Sequence, residues 1–165
     1  MVIFSSCRSL RGKIKTTVVQ NHQRKVRLNL SVYGRFHQRI LREFRLLPDS
    51  AAVCFVTDAE MKRLNTIYRK KRKTTDVLSF PSEPHTRPAR LHARARALRG
   101  TFLGDIAISP GVARHNAKRF HRTLEQEICI LMLHGLLHLL GYDHETDRGE
   151  MEHLELKLRR RLGLA

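Results

Sequence analysis

The chain has no tryptophan, only three cysteines, few acids and no long apolar run. Each shortage excludes something. No apolar stretch reaches the roughly 18 residues that a membrane span needs. The longest, "ICILMLHGLLHLLG", carries two histidines. An odd cysteine count with no C-x-x-C argues against a disulfide framework and a cysteine zinc site. Cys54 and Cys129 sit in apolar stretches and read as small core residues. A reducing, cytoplasmic setting fits that usage. The acids number 15 against 32 lysines and arginines, a formal charge of +17, and residues 1 to 42 contain none. Such a surface attracts polyanions, of which RNA, DNA and anionic membrane are the candidates. The lack of a tryptophan-bearing amphipathic anchor favours nucleic acid over membrane. A basic surface that binds nothing specific stays open at this point.

What is present fits one domain of 165 residues. Met1 to Lys15 reads as a basic arm outside the core, expected to be mobile, with the domain running from 16 to 165. "TTVVQN", "AAVCFVT", "TTDVLSF" (with Pro81 ending it) and "FLGDIAIS" read as strands. Apolar residues at helical spacing predict a helix over Leu30 to Phe44. A second helix follows Asp58, taken as its N-cap. Residues 82 to 100 carry the arginines of "PSEPHTRPARLHARARALRG" and read as a loop. From Pro110 onward the pattern is helical: "GVARHNAKRF", then about Thr123 to Leu140, then Glu145 to about Leu162. Early strands and late helices point to an α+β layer fold.

The densest chemistry lies in "HGLLHLLGYDH", residues 134 to 144. On a helix, residues four apart share a face, so His134 and His138 point the same way. Gly141 suits the turn that ends a helix, and beyond it His144 can return to the pair. Three neutral imidazoles with an open fourth position describe a catalytic zinc site, one ion per chain. The same frame matches the metzincin peptidase pattern H-E-x-x-H-x-x-G-x-x-H. Here, however, Gly135 stands where that pattern has its glutamate base. A zinc peptidase is therefore a rival lacking one part. Glu127, one heptad before His134, Asp105 in "LGDI" and Asp143 before the last histidine are candidates for supporting the site or lining its cleft. Asp76 and Ser79 read as structural. His85, His115, His121 and His153 lack any such frame and read as surface residues.

Four blocks now stand in order: "LNTIYR" at 64–69, "TDVLSFP" at 75–81, "LGDIAIS" at 103–109 and "HGLLHLLGYDHETDRGEM" at 134–151. Together they resemble the YbeY family of metal-dependent endoribonucleases, across most of residues 16 to 162. The resemblance implies a mixed four-stranded sheet packed with about five helices, and a zincin-like metal site on one of them. It implies His134, His138 and His144 as zinc ligands and Arg69 as a functional arginine in the cleft. The implied activity is hydrolysis of single-stranded RNA, in maturation of small-subunit ribosomal RNA and in ribosome quality control, with small-subunit ribosomal proteins as further partners. Two departures are the arginine-rich linker and the basic amino-terminal arm.

Such chemistry requires a nucleophile and charge stabilisation at phosphate. Zinc lowers the pKa of bound water from about 15.7 to about 7. The resulting hydroxide either attacks phosphorus or takes the proton of the ribose 2′-OH. Arg69 offers paired donors to phosphate oxygens. Lys70, Lys71, Arg72 and Lys73 follow it and read as sequence-independent RNA contacts. A non-catalytic ribosome-assembly factor that binds RNA around a structural zinc is the remaining rival.

Overall fold

The computed structural model of the chain describes residues 18–82, 101–145 and 147–164. The basic arm at 1–15, most of the 82–100 segment and His85 lie outside them. In chain order the elements are β1 (Val19–Asn21), α1 (Leu30–Glu43), β2 (Ala51–Phe55), α2 (Asp58–Arg69), β3 (Val77–Pro81) and β4 (Gly104–Ile108). Then come α3 (Pro110–Arg119), α4 (Leu124–Leu139) and α5 (Glu150–Leu162). The fold is α+β. Its four strands lie in the order β1-β2-β4-β3. The first three run parallel and β3 runs antiparallel to β4, so the sheet is mixed and β3 forms one edge.

Alternation along the strands assigns the two faces. Val53, Phe55, Ile106 and Ile108 join a large core with α1, α4 and α5. Cys54, Val56, Ala107 and Leu78 point the other way, onto Met61 and Leu64 of α2. Cys54 and Cys129 are both buried, as their apolar settings implied. α4 is the central helix and buries side chains on nearly every side, the mark of an interior helix. Met132, Leu133 and Leu136 are wholly buried, and each such side chain is worth about 1.5–3 kcal/mol of burial. Thr123 starts α4 with a capping box closed by Gln126.

α4 ends as its glycine implied. Gly141 takes φ 84°, its amide donates to the His138 carbonyl, and the Tyr142 amide donates to that of Leu137. This paired Schellman geometry satisfies two otherwise orphaned carbonyls. Three boundaries differ from the sequence reading. Thr57, not Asp58, caps α2, its hydroxyl accepting from the Glu60 amide. Asp58 instead accepts from the Ser109 hydroxyl. Pro81 is the last residue of β3 rather than its stop, which an edge strand tolerates because its outer amides need no partner. α5 begins at Glu150, not Glu145. Before it, Asp147 accepts from the amides of Gly149 and Met151 and holds a turn.

Candidate metal centre and its cleft

Gly135 is where α4 meets the sheet. A Cβ there would lie 2.6 Å from Ile106 Cγ2 and 3.2 Å from Ser79 Oγ. The Ser79 hydroxyl donates to the Gly135 carbonyl at 3.0 Å. This close approach leaves no room for a side chain. It also sets the flanking His134, with His138 one turn on, beside the edge strand β3. Ser79 thus ties α4 to the sheet, and Asp76 accepts from the Val77 amide and from Asn116 Nδ2; both also line the cleft beside His134.

The three predicted histidines converge. The His134 and His138 rings stand edge to face with centroids 4.7 Å apart. The His144 ring lies 5.5 Å from the first and 5.3 Å from the second. One nitrogen from each falls within 4.8 Å of the others, and the Nε2 atoms of His134 and His138 are 3.2 Å apart. Imidazoles on one tetrahedral zinc, each about 2.0–2.1 Å from it, keep a similar mutual spacing.

The protonation state of His138 suits a cation. Burial, then the neighbouring His134 and His144, lowers the pKa of His138 to about 4, so its ring is neutral at pH 7. His134 Nδ1 lies 2.9 Å from Oε2 of Glu155 on α5, which orients the ring and leaves Nε2 for a metal. Burial would raise the Glu155 pKa. The hydrogen bond and charge of His134, with those of Arg159, outweigh burial and hold the carboxyl below the usual carboxylate range. Donor set, spacing and the bracing carboxylate all fit a divalent ion.

Around the triad lies a cleft of about 590 Å³. One wall is the end of α2 and the basic turn after it; another is β3; the third is the Gly141–Glu145 loop. Arg69 lines it, and its Nη2 donates to Glu145 Oε1 at 3.1 Å across the mouth. Lys71 and Lys73 line it as well, whereas Lys70 and Arg72 are not among the lining residues. Lys70 takes the left-handed turn that ends α2, φ 54°. Buried Asn65 fixes that turn: its Nδ2 donates to the Lys73 carbonyl at 2.7 Å, and its own carbonyl accepts from the Lys71 amide.

The three candidate acids part ways. Asp143 stands in the loop wall, accepts from the Glu145 amide at 3.1 Å, and its charge acts to raise the His138 pKa. Glu127 does not support the site. Seven residues of helix place it about 10 Å below His134, where it is buried and paired with Arg122 at 3.0 Å. Asp105 does not line the cleft either. It alternates with Gly104 and Ile106 and so belongs to the sheet face opposite α4. The supporting acid is Glu155, which the sequence reading missed, as it missed Asn65. The signal for Asn65 was its place four residues before Arg69, on the same face of α2.

The family model of "Endoribonuclease YbeY" matches residues 18–163. The chain belongs to the YbeY endoribonuclease family. An endoribonuclease YbeY of Solibacter usitatus is 54% identical over 107 residues, covering 65% of this chain and 62% of that protein. That of Nautilia profundicola is 44% identical over 122 residues, covering 73% of this chain and 78% of that protein. The chain is also similar to the solution structure of TM1509 from Thermotoga maritima: TM-score 0.55, 26% identity and 87% of each chain covered. Family and fold are those that the four sequence blocks implied. Among the described residues no helix is long and apolar enough to cross a membrane.

Proposed function

We propose that this chain is a zinc-dependent endoribonuclease that cuts single-stranded RNA in the cytoplasm, in maturation of small-subunit ribosomal RNA and ribosome quality control. Contacts with small-subunit ribosomal proteins would accompany that role. The observation that carries the reading is the convergence of His134, His138 and His144 at the wall of a cleft that bears Arg69, Lys71 and Lys73 on the facing wall. His134, His138 and His144 would hold the ion through ring nitrogens, with Glu155 fixing the His134 ring. A bound zinc supplies Lewis acidity at phosphate and lowers the pKa of a water molecule.

The chain's own residues do the rest. Arg69 binds two non-bridging oxygens of the scissile phosphate, a geometry its planar guanidinium matches. Glu145 holds that guanidinium across the mouth until phosphate displaces it. Lys71 and Lys73 meet neighbouring phosphates. Asn65 keeps both lysines on one wall. The peptidase reading finds no place for its base, because the Cβ of any residue but glycine at position 135 would collide with Ile106.

Zinc-loaded protein incubated with a labelled single strand, the matching duplex and casein tests this function. The single strand is expected to be cut while the duplex and casein stay intact. Arg69→Ala is expected to lower kcat by about 10²-fold, as loss of a transition-state donor does, with metal content unchanged. Cleavage of casein with RNA intact would establish the peptidase instead. Salt-sensitive RNA binding without any cleavage would establish the assembly factor.

A further inference from the structure

The far end of α3 carries a feature the cleft does not use. Arg114, His115, Lys118 and Arg119 face solvent there, and no Asp or Glu occurs from Pro110 to Leu124. In the turn that follows, Phe120 is 48% exposed. The guanidinium carbons of Arg119 and Arg122 lie 5.5 Å and 5.2 Å from its ring centroid, within cation–π range.

This turn is fixed rather than loose. The Phe120 amide donates to the Asn116 carbonyl at 2.9 Å, His121 takes φ 53°, and the Arg122 amide donates to the Ala117 carbonyl at 2.8 Å. Arg122 is anchored by buried Glu127 at 3.0 Å. That pair accounts for Glu127, whose charge it compensates; the nearest exposed acid along the chain is Glu125, in the first turn of α4. None of these residues lines the cleft. Eleven residues of chain lie between Arg122 and His134, and the α4 steps from Leu124 to His134 alone span about 15 Å at helical rise.

We infer that this turn is a second contact for single-stranded RNA, in which a nucleobase takes the place of the Arg119 guanidinium against the Phe120 ring while that arginine, Lys118 and Arg114 turn to the flanking phosphates. A half-exposed aromatic ring set in basic side chains is the arrangement that single-strand binders use, since every base has a π-face and every linkage a charge. An acidic peptide would meet the arginines but gain little from the ring. A protein interface would call for a broader apolar patch, and Phe120 is the only large apolar side chain exposed on this stretch. The inference rests on RNA as the substrate, the reading given above, but not on the metal chemistry. It assigns the patch the task of holding a strand that extends beyond the cleft.

Fluorescence anisotropy tests it, with one RNA strand just long enough to fill the cleft and one several times longer, on wild type, Phe120→Leu, Phe120→Trp and Arg119→Ala. Phe120→Leu is expected to weaken binding of the long strand about 5-fold or more, the lower end of what stacking one base is worth. Its binding of the short strand should match wild type. Phe120→Trp should keep wild-type affinity for both. Arg119→Ala should lower the slope of log K against log salt by about 0.7 for the long strand. The inference is overturned if Phe120→Leu binds the long strand like wild type, if it weakens both lengths equally, or if tryptophan fails to substitute. A failure of the cleavage reading shows itself separately, as long-strand binding that still depends on Phe120 with neither strand cut.

Discussion

At His134 two demands meet in one ring. For Nε2 to hold a cation, Nδ1 has to keep its proton and donate a hydrogen bond to something fixed, and the Glu155 carboxylate lies 2.9 Å away. Replacing Glu155 with glutamine keeps the shape but lets the ring reorient and lose basicity. Metal affinity is expected to fall about 10- to 100-fold, read by competition with a chromogenic chelator; unchanged affinity would remove Glu155 from the site. Histidines at i and i+4 before a glycine stop are a local pattern, which is why the triad was legible from sequence alone. Glu155 was not. It lies 21 residues from its partner on a helix rich in charge, and only the packing of α5 against α4 singles it out. Asp105 shows the converse error: a strand residue's face cannot be assigned before the face covered by α4 is known.

His37 gives a second test at the same scale. It is buried in α1 with no well-formed hydrogen bond to either ring nitrogen. Burial lowers its pKa to about 4, opposed by a weaker contact with the Ala51 backbone. The unfolded chain therefore binds a proton before the folded one does. The contribution is intact above the ordinary histidine pKa and is lost as pH falls from there toward about 4. His37→Leu is expected to remove about 2 kcal/mol of the stability that wild type loses between about pH 7 and about pH 5. Urea midpoints of both proteins across that range measure it. Parallel pH profiles would show that His37 is not the titrating group.

Among the elements, α4 does most to build the site, and two substitutions separate its roles. Thr123→Ala removes the cap at the end away from the metal. A loss of about 1 kcal/mol is expected, with metal affinity unchanged. Gly135→Ala places a methyl where Ile106 Cγ2 stands 2.6 Å away. A loss of about 1–3 kcal/mol is expected from overpacking, together with weaker metal binding as His134 and His138 shift from β3. Denaturant unfolding and metal titration of the two variants check this, and a Gly135→Ala protein as stable as wild type would contradict the close approach. The helices and strands were legible because their apolar periods are regular. Their ends were less so. The start of α5 depends on Asp147 holding two amides, and the cap of α2 depends on Asp58 being drawn to Ser109. Both are choices between neighbouring side chains that periodicity does not rank.

Over the whole molecule the formal charge is +17, and two of the places where basic side chains gather among the described residues are the lysine-bearing wall of the cleft and the end of α3. Net charge alone announced a polyanion without saying where it binds. On the proposed function the cleft would turn that general attraction into position, because Lys71 and Lys73 stand on the wall shared with Arg69. Replacing both lysines with glutamine is expected to flatten the salt dependence of single-strand binding by about 0.7 per residue while metal content stays at wild-type level. The same double change at Lys70 and Arg72, outside the cleft lining, should do less.

The most direct test removes the metal and gives it back. Protein stripped with a chelator and dialysed is expected to leave a labelled single strand intact. Cleavage should then return in proportion to added zinc and reach its plateau at one equivalent per chain, while His138→Ala stays inactive at any stoichiometry. Stripped protein that cuts RNA at the untreated rate, or a plateau that His138→Ala also reaches, would contradict a reaction built on the three histidines.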